Sequence, residues 1–208
     1  MITVIGSLKG GSGKSTLAFN LAVWLKNAGV DIGLIDTDPQ ATLSDVAEVR
    51  GEEGYNPVLK VKGPGSLRKN ILEKSDEVLI DIGTADMKAL KKALSLADRI
   101  IVPVPPSQAD VWSAQRFLKL VKDSTDKSPS ISGFINRGDT HSAIRETDEA
   151  AAALISLPGL EFLKPRLGQR TAFRRSFSEG LAVFEMEPRS KAAKELLALC
   201  SVLYPDLV

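Results

Sequence analysis

The chain has 208 residues, 27 basic against 26 acidic, a formal charge of +1 and 43% hydrophobic content, enough for one α/β domain that buries about 70% of its unfolded surface. The near-neutral balance neither selects nor excludes a nucleic-acid partner, so the distribution of charge along the chain must decide. A single cysteine, Cys200, excludes an internal disulfide, and no run approaches about 18 consecutive apolar residues, which excludes a membrane-spanning helix.

Taken in order, Ile2 to Ile5 is a short apolar strand, and it opens directly into Lys9-Gly10-Gly11-Ser12-Gly13-Lys14-Ser15-Thr16. A helical pattern with apolar residues at Leu17, Leu21 and Leu25 follows and ends at Gly29, a suitable residue just past a helix end. Strand, glycine loop, helix is the order a phosphate-binding loop requires, because loop N–H groups and the helix N-terminus converge on an anion. In that reading Lys14 reaches the β- and γ-phosphates and the Ser15 hydroxyl ligates Mg²⁺. The pattern G-x-x-x-x-G-K-[ST] needs glycine at position 8, where this chain has Leu8, and a second lysine, Lys9, stands beside it. A plain glycine turn between strand and helix is the alternative.

Val30 to Ile35 is a second strand, ending at Asp36-Thr37-Asp38-Pro39-Gln40. Carboxylates at the carboxyl end of a strand beside the phosphate loop are placed for Mg²⁺ and water, although a turn capping a helix from about Gln40 would use the same residues. Gly51 to Gly65 reads as a surface connection holding a short strand at Val58 to Val61. A helix from Ser66 to about Lys74 leads to the buried run Glu77 to Ile82, whose Asp81-Ile82-Gly83 ending has the form of a Walker B strand: an acid for the Mg²⁺ water shell and a glycine that admits the γ-phosphate.

Asp86 to Ala97 is helical, and Arg99 to Val102 is a buried strand stopped by Pro103, Pro105 and Pro106. Ser107 to Lys122 is an amphipathic helix whose Trp112 and Phe117 are expected in packing. Ile131 to Ile135 is a strand ending in Asn136-Arg137-Gly138-Asp139. His141, the only histidine, opens a polar helix start and is read as a surface residue. An apolar segment at Leu160 to Leu163 precedes helices at Gln169 to Ser178 and Pro188 to Leu203, with a Val183-Phe184 element between them. Cys200 falls in the apolar stripe of the last helix, which suggests a core thiol in a reducing compartment. Alternating strands and helices imply a single-domain α/β P-loop NTPase over residues 1–208, with a mainly parallel twisted sheet and helices on both faces.

Lys9 beside the glycines, together with Asp36 to Gln40 and the Asp81-Ile82-Gly83 strand end, resembles the deviant Walker A ATPases of the ParA/MinD family. Pro103 to Asp110, and Gln169-Arg170-Thr171 through Gly180 to Val183-Phe184-Glu185, agree with it. The likeness spans nearly the whole chain and is nearest to short ParF-like ParA proteins without an N-terminal helix-turn-helix. It implies an ATP-dependent homodimer with ATP and Mg²⁺ sandwiched between subunits. Lys9 then reaches the partner's phosphates, Lys14 binds phosphate within its own subunit, and Ser15, Asp36 and Asp81 hold Mg²⁺, partly through water. Asp38 orients the attacking water, and Asn136 with Arg137 sits where the family reads adenine. Hydrolysis is expected to be slow until a separate ParB-like adaptor stimulates it, since a site lacking a transition-state cation turns over slowly.

DNA-binding members of that family use basic residues near the C-terminal helices. Between positions 164 and 194 this chain carries Lys164, Arg166, Arg170, Arg174, Arg175, Arg189, Lys191 and Lys194 against only Glu179, Glu185 and Glu187. Clustering of this kind suits sequence-independent contact with phosphates; a solvated helix face is the bland reading. The resemblance therefore implies a cytoplasmic, nucleoid-associated switch that positions a plasmid, chromosome region or protein compartment such as a carboxysome. A metabolic P-loop ligase or kinase is one alternative. A MinD-like membrane regulator is another, disfavoured because the chain ends Leu203 to Val208, too short and not basic for an amphipathic anchor.

Overall fold

Seven strands form one sheet in the order β3-β2-β4-β1-β5-β6-β7, every neighbouring pair parallel. They are β1 (Ile2–Ile5), β2 (Ile32–Asp36), β3 (Val61–Lys62), β4 (Glu77–Asp81), β5 (Arg99–Val104), β6 (Ser130–Ile135) and β7 (Glu161–Phe162). The eight α-helices among the described residues are α1 (Lys14–Asn27), α2 (Thr42–Glu52), α3 (Met87–Leu96), α4 (Gln108–Ser124), α5 (Glu146–Ile155), α6 (Thr171–Ser178), α7 (Val183–Met186) and α8 (Lys191–Leu203). The structure is a computed structural model describing residues 1–68, 72, 74–140 and 145–207. Positions 69, 70, 71 and 73 of the helix expected between Ser66 and Lys74, and the helix start at His141, lie outside the described residues.

Strand alternation builds two cores. Ile5, Leu79, Ile101 and Phe134 point to the face covered by α1, α2 and α6 to α8, whereas Val4, Ile80, Ile100, Val102 and Ile135 point to the face covered by α3, α4 and α5. A period of two on strands buried on both faces gives this division. Helix α1 is buried nearly all round and ends as its glycine suggested. Gly29 has φ +83°, its N–H donates to Lys26 O, and the Val30 N–H donates to Leu25 O, the double bond of a Schellman motif.

Two expectations fail for physical reasons. Pro103 does not stop β5, which continues to Val104 paired with β6. Gly6 N donates to Ile101 O while Asn136 N donates to Val104 O, so odd-numbered β5 residues bond toward β1 and even-numbered ones toward β6. Pro103 therefore lacks its N–H on the side where β1 has already left the sheet, and no ladder bond is lost. Trp112 is 54% exposed, because the buried stripe of α4 runs Val111, Ala114, Phe117, Val121 and position 112 falls outside it. Phe117 is fully buried, as is Cys200, whose thiol burial pushes up to about 12.

Two buried networks hold the periphery. The Arg50 guanidinium, at the end of α2, donates to Asn56 O and Pro57 O, to Gly180 O, and to both oxygens of Glu185 at 2.8 Å. At the amino edge of the sheet Arg99 donates to Thr3 Oγ1 and Leu203 O and stacks over Tyr204 at 4.4 Å. This ties the end of α8 to β1 and β5.

Candidate nucleotide site

The loop after β1 emerges between the loops after β4 and β5, since β4 and β5 flank β1. Chain connections diverge there: β1 leads by α1 to β2, while β4 leads by α3 to β5 on the other face. Ligands of open parallel sheets bind at such a point, outside the carboxyl ends of the strands.

Gly11 and Gly13 take φ of +74° and +90°, conformations that favour glycine. At Gly13 the space is also closed, for a Cβ would stand 2.4 Å from Asn136 Nδ2. The two loop lysines differ in burial and partners. Lys14 is buried and folds back, its Nζ donating to Lys9 O at 3.2 Å and Ser7 Oγ at 3.4 Å. Burial lowers its pKa, while the charges of Asp81 and Asp38 act in the opposite sense. Lys9 is 47% exposed and its Nζ donates to Asp110 Oδ2 at 2.8 Å. Asp110 is 5% exposed, accepts from the Ser107 hydroxyl, and keeps Oδ1 without a partner.

The three carboxylates differ in what they already hold. Asp36 accepts from the Asp38 N–H (2.9 Å), the Ser44 N–H (3.1 Å) and the Ser44 hydroxyl (3.2 Å), so much of it serves to fix the loop into α2. Asp38 accepts from the Gln40 N–H at 3.0 Å and lies so close to Gly83 that a Cβ there would meet Asp38 Cα at 2.6 Å. Asp81 is buried with neither carboxylate oxygen hydrogen-bonded. Burial pushes its pKa up to about 7; the nearby Asp36 and Asp38 add to the rise, and the Ser15 hydroxyl and the Lys14 ammonium oppose it. The Thr37 N–H and hydroxyl both donate to Asp81 O, at 2.9 and 3.1 Å, which locks the ends of β2 and β4 together.

Buried carboxylate oxygens without partners invite a cation, and Asp81 beside Ser15 fits Mg²⁺. No cluster of three metal-ligating side chains exists among the described residues; Mg²⁺ is commonly held by one or two protein groups with phosphates and waters supplying the rest.

Asn136 and Arg137 brace the loop. Asn136 is buried and its Nδ2 donates to Ser12 O at 2.7 Å. Arg137, at φ +58°, donates to Gly11 O and to Gln169 Oε1. Ser7 and Ser44 carry no sequence motif, whereas Thr37 and Asp110 lie within stretches that the family resemblance covers, and the spacing of Ser107 to Asp110 is that of a helix cap.

The C-terminal basic residues separate into two sets. Arg170 grips both oxygens of Glu195, Arg175 pairs with Glu187 at 3.3 Å, and Arg166 pairs with Asp148 at 3.0 Å. Lys164, Arg174, Arg189, Lys191 and Lys194 are exposed and in no ion pair among the described residues.

A parallel sheet with a glycine loop after its first, central strand and an acid at the end of the neighbouring one defines a P-loop nucleotide-binding protein. Residues 3–183 match the CobQ/CobB/MinD/ParA nucleotide binding domain, and the chain belongs to that family. It is 26% identical over 198 residues to maintenance of carboxysome distribution protein A of Halothiobacillus neapolitanus, covering 92% of this chain and 90% of that one. It is 27% identical over 202 residues to protein ParA of Rhizobium radiobacter, covering 90% and 87%. Among solved structures, the fold is shared with a plasmid partition protein of Borrelia burgdorferi B31 bound to AMPPNP, with a TM-score of 0.76, 20% identity and 99% and 98% coverage. An ATP complex of a single-residue variant of Cyanothece McdA gives a TM-score of 0.80 at 18% identity, covering 98% and 96%.

Proposed function

We propose that this protein is an ATP-driven dimerising switch that binds DNA without sequence preference and positions a cargo, with slow hydrolysis stimulated by a separate adaptor. The observation that carries the reading is the contrast in burial between the two loop lysines. Lys14 is buried over its own loop, where a phosphate chain would lie, whereas Lys9 is 47% exposed and bound by a single contact to Asp110. On this reading Lys9 meets the partner subunit's phosphates and catalytic competence depends on the dimer.

Ser15 and Asp81 hold Mg²⁺, with Asp36 acting at one remove; bound there, Mg²⁺ neutralises charge on the phosphates. Asp38, beside Gly83 at the γ-phosphate end, orients water. Asn136 and Arg137 border the base as well as bracing the loop. The unpaired C-terminal cations Lys164, Arg174, Arg189, Lys191 and Lys194 supply phosphate contacts. The names of the relatives, a carboxysome-distribution protein and a ParA, support cargo positioning on the nucleoid within the cytoplasm as the setting. In keeping with this, no helix among the described residues is long and apolar enough to cross a membrane.

The test compares mass by light scattering, and retention on duplex DNA, with ADP and with ATP. The parent should dimerise and bind DNA with ATP alone, Asp38→Ala should lock that state, and Lys9→Gln should bind nucleotide as a monomer. A Lys9→Gln protein that still dimerises with ATP refutes the switch, and DNA retention indifferent to nucleotide refutes the coupling.

A further inference from the structure

Charge on the surface is segregated by helix. The exposed side of α2 carries Asp45, Glu48 and Glu52, and that of α5 carries Glu146, Asp148 and Glu149. Helices α3 and α4, which press their apolar stripes into one core on the same face of the sheet, show the opposite sign. Lys88, Lys91 and Lys92 on α3, with Arg116, Lys119 and Lys122 on α4, are all exposed. The two helices expose one acid, Asp123, since Asp110 is buried against Lys9. None of the six cations is in an ion pair among the described residues. In the C-terminal cluster, by contrast, three of the eight are neutralised by carboxylates.

We propose that the α3–α4 face is a docking surface for the phosphate backbone of double-stranded nucleic acid, separate from the C-terminal cluster. Arg116, Lys119 and Lys122 recur every third residue and span about 9 Å along the helix, and packed helices lie about 8–10 Å apart. The six cations therefore occupy a patch about 10 Å on a side. A duplex presents one charge per about 1.7 Å of its axis, about six over the same length, so the two charge densities match.

The occupant follows from what the patch lacks. A protein interface centres on buried apolar contact, but on these two helices the large apolar side chains that are exposed are Met87 and Trp112, both in the first turns. A strongly positive, polar surface is the character of nucleic-acid interfaces. The acidic start of α5, which packs beside α4, repels phosphate and bounds the patch on that side. At the other end an open hollow of about 410 Å³ is lined by Lys122 and Lys127 together with Asp123 and Asp126, so the charge there is mixed.

The experiment measures anisotropy of a labelled random-sequence duplex, with ATP, across a salt series. The variant is Lys91→Gln/Lys92→Gln/Arg116→Gln/Lys119→Gln, compared with the parent and with Arg174→Gln/Arg189→Gln/Lys194→Gln. Affinity of the α3–α4 variant should fall at least about tenfold, and the slope of log affinity against log salt should shrink by about one for each phosphate contact removed. Its ATP turnover without DNA and its thermal midpoint should match the parent's. Parent-like affinity and slope in that variant overturn the proposal, whatever the C-terminal variant does. A variant that keeps the duplex but loses poly-L-glutamate assigns the face to an acidic protein segment and overturns it too. A parent that ignores the duplex in every nucleotide state overturns both this proposal and the DNA reading of the C-terminal cluster.

Discussion

Asp81→Asn should stabilise the metal-free protein and weaken its response to Mg²⁺-nucleotide. Asp81 is a carboxylate with both oxygens unpartnered in the interior, and burial lifts its pKa to about 7. The folded protein therefore holds this proton more tightly than the unfolded chain does. The stability it contributes is fully present below about pH 4 and is lost as pH rises through about 7, with a total of about 4 kcal/mol on the scale of 1.36 kcal/mol per pH unit. Asparagine keeps the shape and never ionises, so in EDTA the variant should exceed the parent by up to about 4 kcal/mol near pH 8, by less as pH falls, and match it only below about pH 4. Urea unfolding followed by circular dichroism measures this. Adding Mg²⁺ and ADP should then raise the parent's midpoint by mass action and raise the variant's less. A variant less stable than the parent at the higher pH, or one with the parent's pH slope, would show that Asp81 is compensated inside the fold and is not waiting for a cation.

Glu185→Gln leaves the fully buried Arg50 guanidinium with backbone carbonyls but no counter-charge. The loss should be about 3 kcal/mol in urea unfolding, with nucleotide affinity unchanged because the pair lies away from the loop. Gly83→Ala drives a Cβ against Asp38 Cα and Cγ, at 2.6 and 2.9 Å. It should displace Asp38 and abolish ATP turnover while leaving nucleotide binding, read by a fluorescent analogue, within about tenfold of the parent.

The sheet, its helices and the phosphate loop are legible in the sequence because each is local. Glycine placement and apolar period are written within ten residues or so, and strands buried on both faces read as continuous apolar runs. The division of roles among Asp36, Asp38 and Asp81 is not legible, since all three are strand-end acids. What separates them is Ser44, eight residues on, filling Asp36, and nothing filling Asp81. Asn136 is similar: its amide is committed to Ser12 O across 124 residues, a contact that exists only once β1 and β6 are both ordered around β5. Trp112 was misjudged because aromatic burial is an average over proteins, whereas the orientation of α4 is set by Val111, Ala114, Phe117 and Val121.

The contrast between the loop lysines also has an energetic side. Lys14 is fixed by burial and by two acceptors within its own loop, so moving it exposes a cavity at the centre of the site. Lys9 is held by one contact to Asp110 from a half-exposed position, but the acid itself is 5% exposed, so the pair is worth more to the fold than the ~0–1 kcal/mol of a fully exposed one. A phosphate presented by a second chain, with water excluded, offers a stronger charge-assisted bond. On the proposed reading, that bond must offset the loss of Asp110's counter-charge, and Asp110 keeps the Ser107 hydroxyl when the lysine leaves. The six positions from Lys9 to Lys14 thus hold one buried cation and one half-exposed one.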